Sequence, residues 1–292
     1  STYALRLILT LTISLLVASH SYAQTQPAVG TVSANDFGGI GLLQTRTARF
    51  GKDGSFEIGT TFIEPYRRWY FRLTLLPWFE GTFRYTDVRN QLFSNIVSFS
   101  GNQSFKDRGA DIKFRLWPES RLIPQIAVGM QDGLGTGLFR GEYFVASKRF
   151  RDLDLSFGLG WGYLGNGGTW KNPLTFLSDA LSSRSSEAGT GGVPLFGSWF
   201  SGEFVSPFFG VEYHTPITGL SLKAEYEGND YQTEPLGNVL EATSPWNYGI
   251  NYRPFSWLDI SLAFERGTSY MSRIALLADL HDQGLPKFDP PP

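Results

Sequence analysis

The sequence predicts an all-β protein, a transmembrane antiparallel up-and-down β-barrel of about twelve strands with long extracellular loops. The first observation is LDLSFGLGWGY at 153–163, where every second residue is large and apolar. Such alternation is typical of a strand with one apolar face, and about ten residues let a tilted strand cross a bilayer. Because an open sheet edge in lipid leaves backbone groups unpaired, we expect further strands to close a barrel.

The composition agrees with this fold and excludes several other classes. Aromatic residues make up 15% of the chain and charged residues only 18%. Beyond the N-terminus no run of about 18 apolar residues occurs, which excludes a helical membrane bundle. The net charge of -2 offers no basic footprint for nucleic acid, and the absence of cysteine excludes disulfides and thiolate metal sites. We therefore expect no cofactor, no metal and no nucleic-acid partner.

The first 23 residues have the pattern of a secretory signal peptide. Arg6 precedes an apolar run at 7–18 that is too short to span a membrane as a helix. Small residues at Ser21 and Ala23 suit cleavage after Ala23, and no cysteine follows for lipid attachment. An uncleaved anchor helix is the alternative. Residues 24–54 follow as a periplasmic linker with a short periplasmic or plug-like segment, GGIGLLQTRTARF at 38–50.

The barrel is predicted over 55–278. Its twelve strands are expected at 55–62, 68–76, 79–87, 109–116, 123–130, 138–148, 153–163, 207–214, 220–226, 246–253, 258–266 and 270–278. Connections after even-numbered strands are short, and all the long ones follow odd-numbered strands. Outer-membrane barrels have short turns in the periplasm, so both chain ends are expected there.

The apolar faces of these strands set the direction of the charged residues. If the apolar residues face lipid, these charged residues face the lumen: Arg72, Glu80, Arg84, Asp111, Lys113, Arg115, Arg140, Glu142, Lys148, Asp154, Glu212, Lys223, Glu225, Asp259 and Glu265. An Arg or Lys in lipid near the midplane costs roughly 2–4 kcal/mol. The alternation therefore fixes the strand register strongly.

Candidate polymer contacts lie on this inward face. They are Tyr70, Arg72, Arg84, Arg115, Arg140 and Glu142. Arginine binds acidic groups through paired hydrogen bonds, although charge pairs that stiffen the barrel are an equal alternative. The loop at 164–206 is predicted to fold inward as a constriction with Trp170 and Trp199, or else to be a surface loop.

Catalytic chemistry has few candidates in this chain. His214 beside Glu212 is a conceivable base, but no Ser or Asp spacing selects its partners. Glu142 and Asp154 could form a carboxylate pair for glycoside chemistry, but charged lumen lining explains them without any reaction. The glycines at 158, 160 and 162 follow no strand-to-helix transition, which argues against a phosphate loop. We predict a non-enzymatic protein.

Four stretches resemble the YjbH family, which is related to GfcD. They are PYRR at 65–68, LPWFEGTFRYTDV at 76–88, SFKDRGADIKFRL at 104–116 and GTGLFRGEYFVASKRFRDLDLSFGLGWG at 135–162. The segment at 38–50 and the closing PKFDPPP at 286–292 also look like this family, so the similarity runs from about Asp36 onward. Family members continue past the proline run, so 279–292 is expected to be a periplasmic tail leading to a missing C-terminal region.

The resemblance implies an outer-membrane protein of an exopolysaccharide or capsule operon, acting in polymer secretion or assembly. The implied partners are the lipid bilayer, the exopolysaccharide, periplasmic and lipoprotein components of the machinery, and the barrel-assembly machinery. Three alternatives remain open: a general porin, a membrane anchor for a larger machine, and a barrel hydrolase acting on lipid or polysaccharide.

Overall fold

The computed structural model describes residues 32–184 and 199–280 and contains a closed antiparallel barrel. The strands are β1 Ser55–Ile63, β2 Tyr66–Leu76, β3 Phe79–Leu92, β4 Ser104–Trp117, β5 Gln125–Gln131, β6 Gly141–Phe150, β7 Leu153–Gly160, β8 Trp170–Lys171, β9 Phe204–His214, β10 Leu220–Tyr226, β11 Trp246–Phe255, β12 Leu258–Glu265 and β13 Ser269–Asp279. The two-residue β8 pairs only with β9. The other twelve strands form the wall, which closes where β1 pairs with β13. The predicted fold class is confirmed.

The two ends of the barrel differ in their connections. At one end, here the short-turn end, the connections are 77–78, 118–124, 151–152, 215–219 and 256–257, and β1 starts and β13 ends there. At the opposite, long-loop end lie 93–103, 132–140, 161–203 and 227–245. The helical segments in the described residues are single turns: Val97–Ser100, Gly162–Gly165, Pro173–Phe176, Asp179–Ser182 and Pro235–Gly237. Within 32–184 and 199–280, no helix is long and apolar enough to cross a membrane.

Each of the twelve predicted strands overlaps an observed strand, but several predicted ends are wrong: β3 extends to Leu92, β4 starts at Ser104, and β6 starts only at Gly141. β7 stops at Gly160 and does not continue to Tyr163. Gly162 adopts a φ of +60°, which turns the chain, so Trp161 and Tyr163 leave the lipid face and become buried. The Trp161 indole donates a 3.0 Å hydrogen bond to Asn172.

The outward face of the wall is apolar and exposed. Its large side chains include Ile58, Trp69, Phe71, Phe83, Leu155, Phe157, Tyr248, Ile250, Leu262 and Ile274. Trp78, Trp117 and Trp257 are also exposed and lie at the short-turn end. A lipid-facing band bordered by aromatic residues is typical of membrane barrels.

The predicted inward charges lie on the inner face, except on β6, where the predicted parity is wrong. Tyr143, Val145 and Ser147 face inward, so Glu142 and Lys148 have the outward parity. β6 has bulky residues on both faces, and its alternation therefore does not define a direction. Glu142 is nevertheless fully buried because the 161–203 connection covers it.

Candidate functional site

The lumen is filled by the chain that precedes β1. Residues 33–50, here called the inner segment, are buried throughout except Gly39. The inner segment has no helix or strand, only the isolated bridges Ala34–Ile40 and Gly41–Arg46. A buried backbone without regular structure must find hydrogen-bond partners elsewhere. The charged residues of the barrel wall supply them.

Glu225 on β10 receives the central part of the inner segment. Its carboxylate accepts hydrogen bonds from the backbone amides of Leu43, Gln44 and Thr45 at 2.9, 2.7 and 3.2 Å. The Thr45 hydroxyl donates a fourth bond at 2.8 Å. Hydrogen bonds to an ionised group are about twice as strong as neutral ones. One side chain therefore fixes three consecutive residues of the inner segment.

Two lysines hold the carbonyl groups. Lys223 on β10 donates to the carbonyl of Leu42 at 2.9 Å, and Lys113 on β4 donates to that of Arg49 at 2.7 Å. Lys113 also lies 3.2 Å from Glu80, which neutralises its charge. Charged lysine side chains on opposite walls of the barrel thus bind the backbone of the same segment.

Arg49 anchors the inner segment near the short-turn end. Its guanidinium donates two 2.8 Å hydrogen bonds to Asp154 on β7 and one of 2.5 Å to Glu119 in the 118–124 turn. Val32, just before the segment, accepts from Arg253 at the corresponding end of β11. Both ends of the inner segment therefore lie at the short-turn end, and the segment enters and leaves the lumen there.

Phe37 forms the tip of the inner segment, toward the long-loop end. Its ring centroid lies 6.0 Å from those of both Phe139 and Tyr163, and the Arg68 guanidinium stands 4.2 Å from it. The next residue, Gly38, has a φ of +91°, and a Cβ there would lie 2.4 Å from the Tyr70 ring. Only glycine fits this turn without moving Tyr70.

An ion-pair network stiffens the wall beside the β1–β13 seam. Arg273 on β13 bonds Glu57 at 3.2 Å and Asp259 at 2.6 Å, and all three side chains are fully buried. Arg72 pairs with the same Glu57, and Tyr70 donates to it at 2.6 Å. The charges are thus mutually satisfied inside the barrel.

The connection 227–245 covers the lumen at the long-loop end. Glu234 accepts hydrogen bonds from the hydroxyls of Tyr66 and Tyr163. Burial raises the pKa of Glu234, and burial together with the nearby Glu225 raises the pKa of Glu227 to about 8. The carboxyl group of Glu227 therefore favours the protonated state at neutral pH.

Little free volume remains beside the inner segment. Two cavities there, one reaching Tyr143 and the other Asp154, each measure about 10 Å³. A space of this size holds about one water molecule. A sugar chain cannot pass these points unless the inner segment moves.

The candidate polymer contacts have different positions in the barrel. Tyr70, Arg72 and Arg84 are each 3% exposed. Arg84 bonds Asp111 at 2.8 Å and the carbonyl of Phe37 at 3.2 Å, so the inner segment covers it. Polymer contact at these residues stays a prediction and requires displacement of the segment.

The other candidates lie near the two rims. Arg115 is partly exposed, and its guanidinium lies 6.0 Å from the Phe50 ring. Glu142 binds Arg184 through two hydrogen bonds, at 2.7 and 2.9 Å, close to Arg140. Their contact with polymer is likewise untested by this geometry.

The described part of the 161–203 connection packs against the outward side of β6. The Phe200 ring lies 5.0 Å from the ring of Phe144, whose parity is outward. Trp170 is 49% exposed in β8, and Trp199 is half-buried. Residues 185–198 lie outside the described part, so the proposed constriction by this loop stays a prediction.

His214 does not form a catalytic triad with its neighbours. Ser221 pairs with His214 across β9 and β10, but its hydroxyl donates to Glu212 at 2.6 Å and not to the imidazole. A nucleophile needs its base at the hydroxyl, so this arrangement lacks the required order. In the described residues, no three His, Asp or Glu side chains converge as a metal site.

Sequence reasoning did not identify the group of residues that together bind the inner segment. Glu225, Lys223 and Lys113 were predicted inward only as lining, because nothing in a strand pattern indicates what its charges bind. Glu234 lies in a connection without periodicity and gave no signal. A hint was available in the poor alternation of 38–50, where Arg46 and Arg49 need buried partners.

Comparison with known proteins places the chain in a family. The family model "Exopolysaccharide biosynthesis protein YbjH" matches residues 33–292. The chain is 44% identical over 270 residues to "Uncharacterized lipoprotein YjbH" of Escherichia coli (strain K12), covering 92% of this chain and 38% of that protein. The chain thus spans well under half of that relative.

Two solved porins are similar in structure. The KdgM porin aligns with a TM-score of 0.40 at 7% identity, over 78% of this chain and 99% of that one. The NanC porin aligns with a TM-score of 0.39 at 9% identity, over 77% and 98%. With a family model matching 33–292, the chain belongs to the YjbH family of exopolysaccharide biosynthesis proteins.

Proposed function

We propose that this chain is a non-enzymatic outer-membrane component of exopolysaccharide secretion, a barrel held closed by its inner segment and opened for polymer when that segment leaves. Membership in an exopolysaccharide biosynthesis family supports the substrate class. The apolar outward band supports the membrane setting. In this proposal the short-turn end faces the periplasm.

The observation that carries the proposal is the set of hydrogen bonds between charged residues of the wall and the backbone of the inner segment. Glu225, Lys223 and Lys113 bind its backbone through hydrogen bonds. Water or sugar hydroxyls can replace such bonds, and each contributes only about 0.5–3 kcal/mol net. Apolar side chains of the segment, Phe37, Leu43, Ala48 and Phe50, also pack in the core, so release of the segment must break both kinds of contact. The exchangeable hydrogen bonds to its backbone suit a segment that comes out and returns.

The position of the segment indicates where it is controlled. Because the chain enters and leaves at the short-turn end, near Arg253 and Arg49, a periplasmic or lipoprotein partner can pull it without crossing the barrel. Its departure would expose Tyr70, Arg72 and Arg84 to a passing polymer. Arginine at these positions would bind acidic groups of the polymer.

A membrane anchor for a larger machine is the second candidate. The buried network of Glu57, Arg273 and Asp259 favours an anchor, because the network stiffens a wall that need not open. If the barrel is an anchor, we expect the inner segment to stay in the lumen during secretion.

A disulfide lock distinguishes the two. Residues 1–292 contain no cysteine, so Gly39→Cys with Thr82→Cys introduces one defined pair within them. A Cβ at Gly39 would lie 3.8 Å from the Thr82 hydroxyl, close enough for a disulfide with small adjustment. The variant is made in the full-length protein in its native strain, with each single cysteine as control.

Surface and periplasmic exopolysaccharide are then measured with and without dithiothreitol. For a conduit we expect periplasmic accumulation in the oxidised double variant and recovery after reduction, while both single variants secrete normally. Normal secretion with the disulfide fully formed would overturn the conduit and leave the anchor.

A further inference from the structure

A row of cations lies on the outward face of the barrel at the long-loop end of β2 to β4. Arg67 on β2 pairs in register with Asp87 on β3, and Asp87 pairs with Lys106 on β4. Two register positions nearer the bilayer centre, Tyr85 pairs with Arg108. We call Arg67, Lys106 and Arg108 the basic row.

The outward direction of the basic row follows from its neighbours. The Arg67 guanidinium lies 5.0 Å from the Phe62 ring and 5.9 Å from the Trp69 ring, both exposed on the lipid-facing side. Arg108 is exposed and shares the parity of Tyr85, whereas Asp107 beside it is buried in the lumen. The row therefore faces away from the lumen.

The depth of the row corresponds to the lipid headgroups. Arg67 is nine residues from Leu76, the end of β2 at the short-turn side. For a strand tilted by about 40°, that distance is about 23 Å along the membrane normal. The apolar band of such barrels is roughly 25 Å tall. Trp69 and Tyr85 stand at its upper border, and the basic row lies at or just beyond it.

The charges in this region do not cancel. Lys106 donates to Asp87 at 2.5 Å, and Arg89 pairs with the exposed Glu64. Those two acids leave Arg67 and Arg108 in excess. Among the described residues neither guanidinium has a hydrogen-bonding side-chain partner, and the Arg67 Nε is buried without an acceptor. Arg67 is partly exposed and Arg108 is exposed, so an acceptor from outside the chain can reach their terminal guanidinium nitrogens.

We propose that the basic row binds a phosphate group of a phosphorylated lipid in the outer leaflet. Two guanidinium groups and an ammonium offer the paired donors that recognise phosphate. Phe62 and Trp69 hold the Arg67 guanidinium in place, and the exposed Trp69 and Phe83 lie below it, where the acyl chains of the same lipid run. The site is independent of the lumen, but its place in the outer leaflet rests on the proposed outer-membrane orientation with the short-turn end in the periplasm.

The test uses the full chain in nanodiscs of phosphatidylethanolamine containing a small fraction of diphosphorylated lipid A, with lipid retention measured by native mass spectrometry. Arg67→Gln with Arg108→Gln is compared with wild type, and Arg121→Gln with Arg151→Gln at the short-turn end is the matched control. Both control arginines are exposed. We expect lipid retention to be at least tenfold weaker in the first variant and unchanged in the control.

Further arms separate the phosphate from other causes. Arg67→Lys with Arg108→Lys keeps the charge but loses the paired donors, so we expect intermediate retention. Equal retention by wild type and the double glutamine variant, with both folded by gel mobility, overturns the proposal. Full competition by millimolar inorganic phosphate also overturns it, since the site would then take a free anion and not a lipid.

Discussion

The backbone amide of Gln44 donates a 2.7 Å hydrogen bond to the Glu225 carboxylate, joining the inner segment to a strand 181 positions later in the chain. The same carboxylate also receives the amides of Leu43 and Thr45. The closed lumen therefore depends strongly on one negative charge.

Replacement of that charge should release the inner segment. Glu225→Gln keeps the shape but removes the charge, and hydrogen bonds to charged groups contribute about 1.5–3 kcal/mol each. We expect at least tenfold faster tryptic cleavage after the buried Arg46 and Arg49. Glu241→Gln, in the exposed part of a connection, is the control. Unchanged cleavage in Glu225→Gln would show that the segment is held by other contacts.

The tip of the inner segment offers a test with adjacent residues. Gly38→Ala places a methyl group 2.4 Å from the Tyr70 ring at a φ of +91°, whereas Gly39→Ala meets nothing closer than 3.5 Å. We expect Gly38→Ala to destabilise the closed segment by about 1–3 kcal/mol. Hydrogen exchange over 35–47 should rise in this variant alone, and an equal rise in both would contradict the argument.

Arg273 links two buried carboxylates, so its loss should affect the whole barrel. Arg273→Met leaves Glu57 and Asp259 without their shared partner, and removal of one member of a buried network costs about 3–5 kcal/mol. The urea midpoint for unfolding from vesicles should fall accordingly. Arg121→Met, at an exposed turn, should leave it unchanged. Equal midpoints for both variants would show that the network adds nothing to stability.

The connection at the long-loop end should loosen as the pH rises. Burial raises the pKa of Glu227 from its ordinary 4.5 to about 8, so the closed connection binds this proton more tightly than the open one. Its contribution to stability is complete below pH 4.5 and is lost as the pH rises to about 8. Hydrogen exchange at 229–240, corrected for the intrinsic rate, should be faster at pH 9 than at pH 6.

Glu227→Gln is the control for that pH dependence. It removes the titrating group and should abolish the part of the difference between pH 6 and pH 9 that comes from Glu227. Equal protection of the wild-type connection at both pH values would contradict a role for Glu227.

The wall of the barrel could be predicted from the sequence because alternation is a local signal. In β7, Leu155 and Phe157 face outward and Asp154 and Ser156 inward, as the pattern indicates. The predicted direction of β6 was wrong because Tyr143 and Phe144 are both large, and the choice between its faces depends on what fills the lumen. The end of β7 was missed because a turn at Gly162 depends on its tertiary setting.

The candidate site was less accessible to sequence reasoning. Arg72 and Arg84 were placed inward correctly, but a parity argument cannot show whether an inward charge meets solvent, another strand or the inner segment. The partners of Glu225 are irregular backbone amides far away in sequence. Such contacts carry no residue-type signature and become visible only in three dimensions.

The seam between β1 and β13 also determines the order in which the molecule can be assembled. The inner segment and β1 are synthesised before the other strands of the barrel, yet β1 must wait for β13 before both its edges are paired. The ion pair of Lys52 and Asp279, at 2.5 Å, joins the exit of the inner segment to the end of β13. β13 therefore both closes the barrel and holds the exit of the inner segment. Pairing of β13 completes the wall and fixes the exit of the inner segment, so a defect in β13 would leave the barrel open and the inner segment unattached at this end.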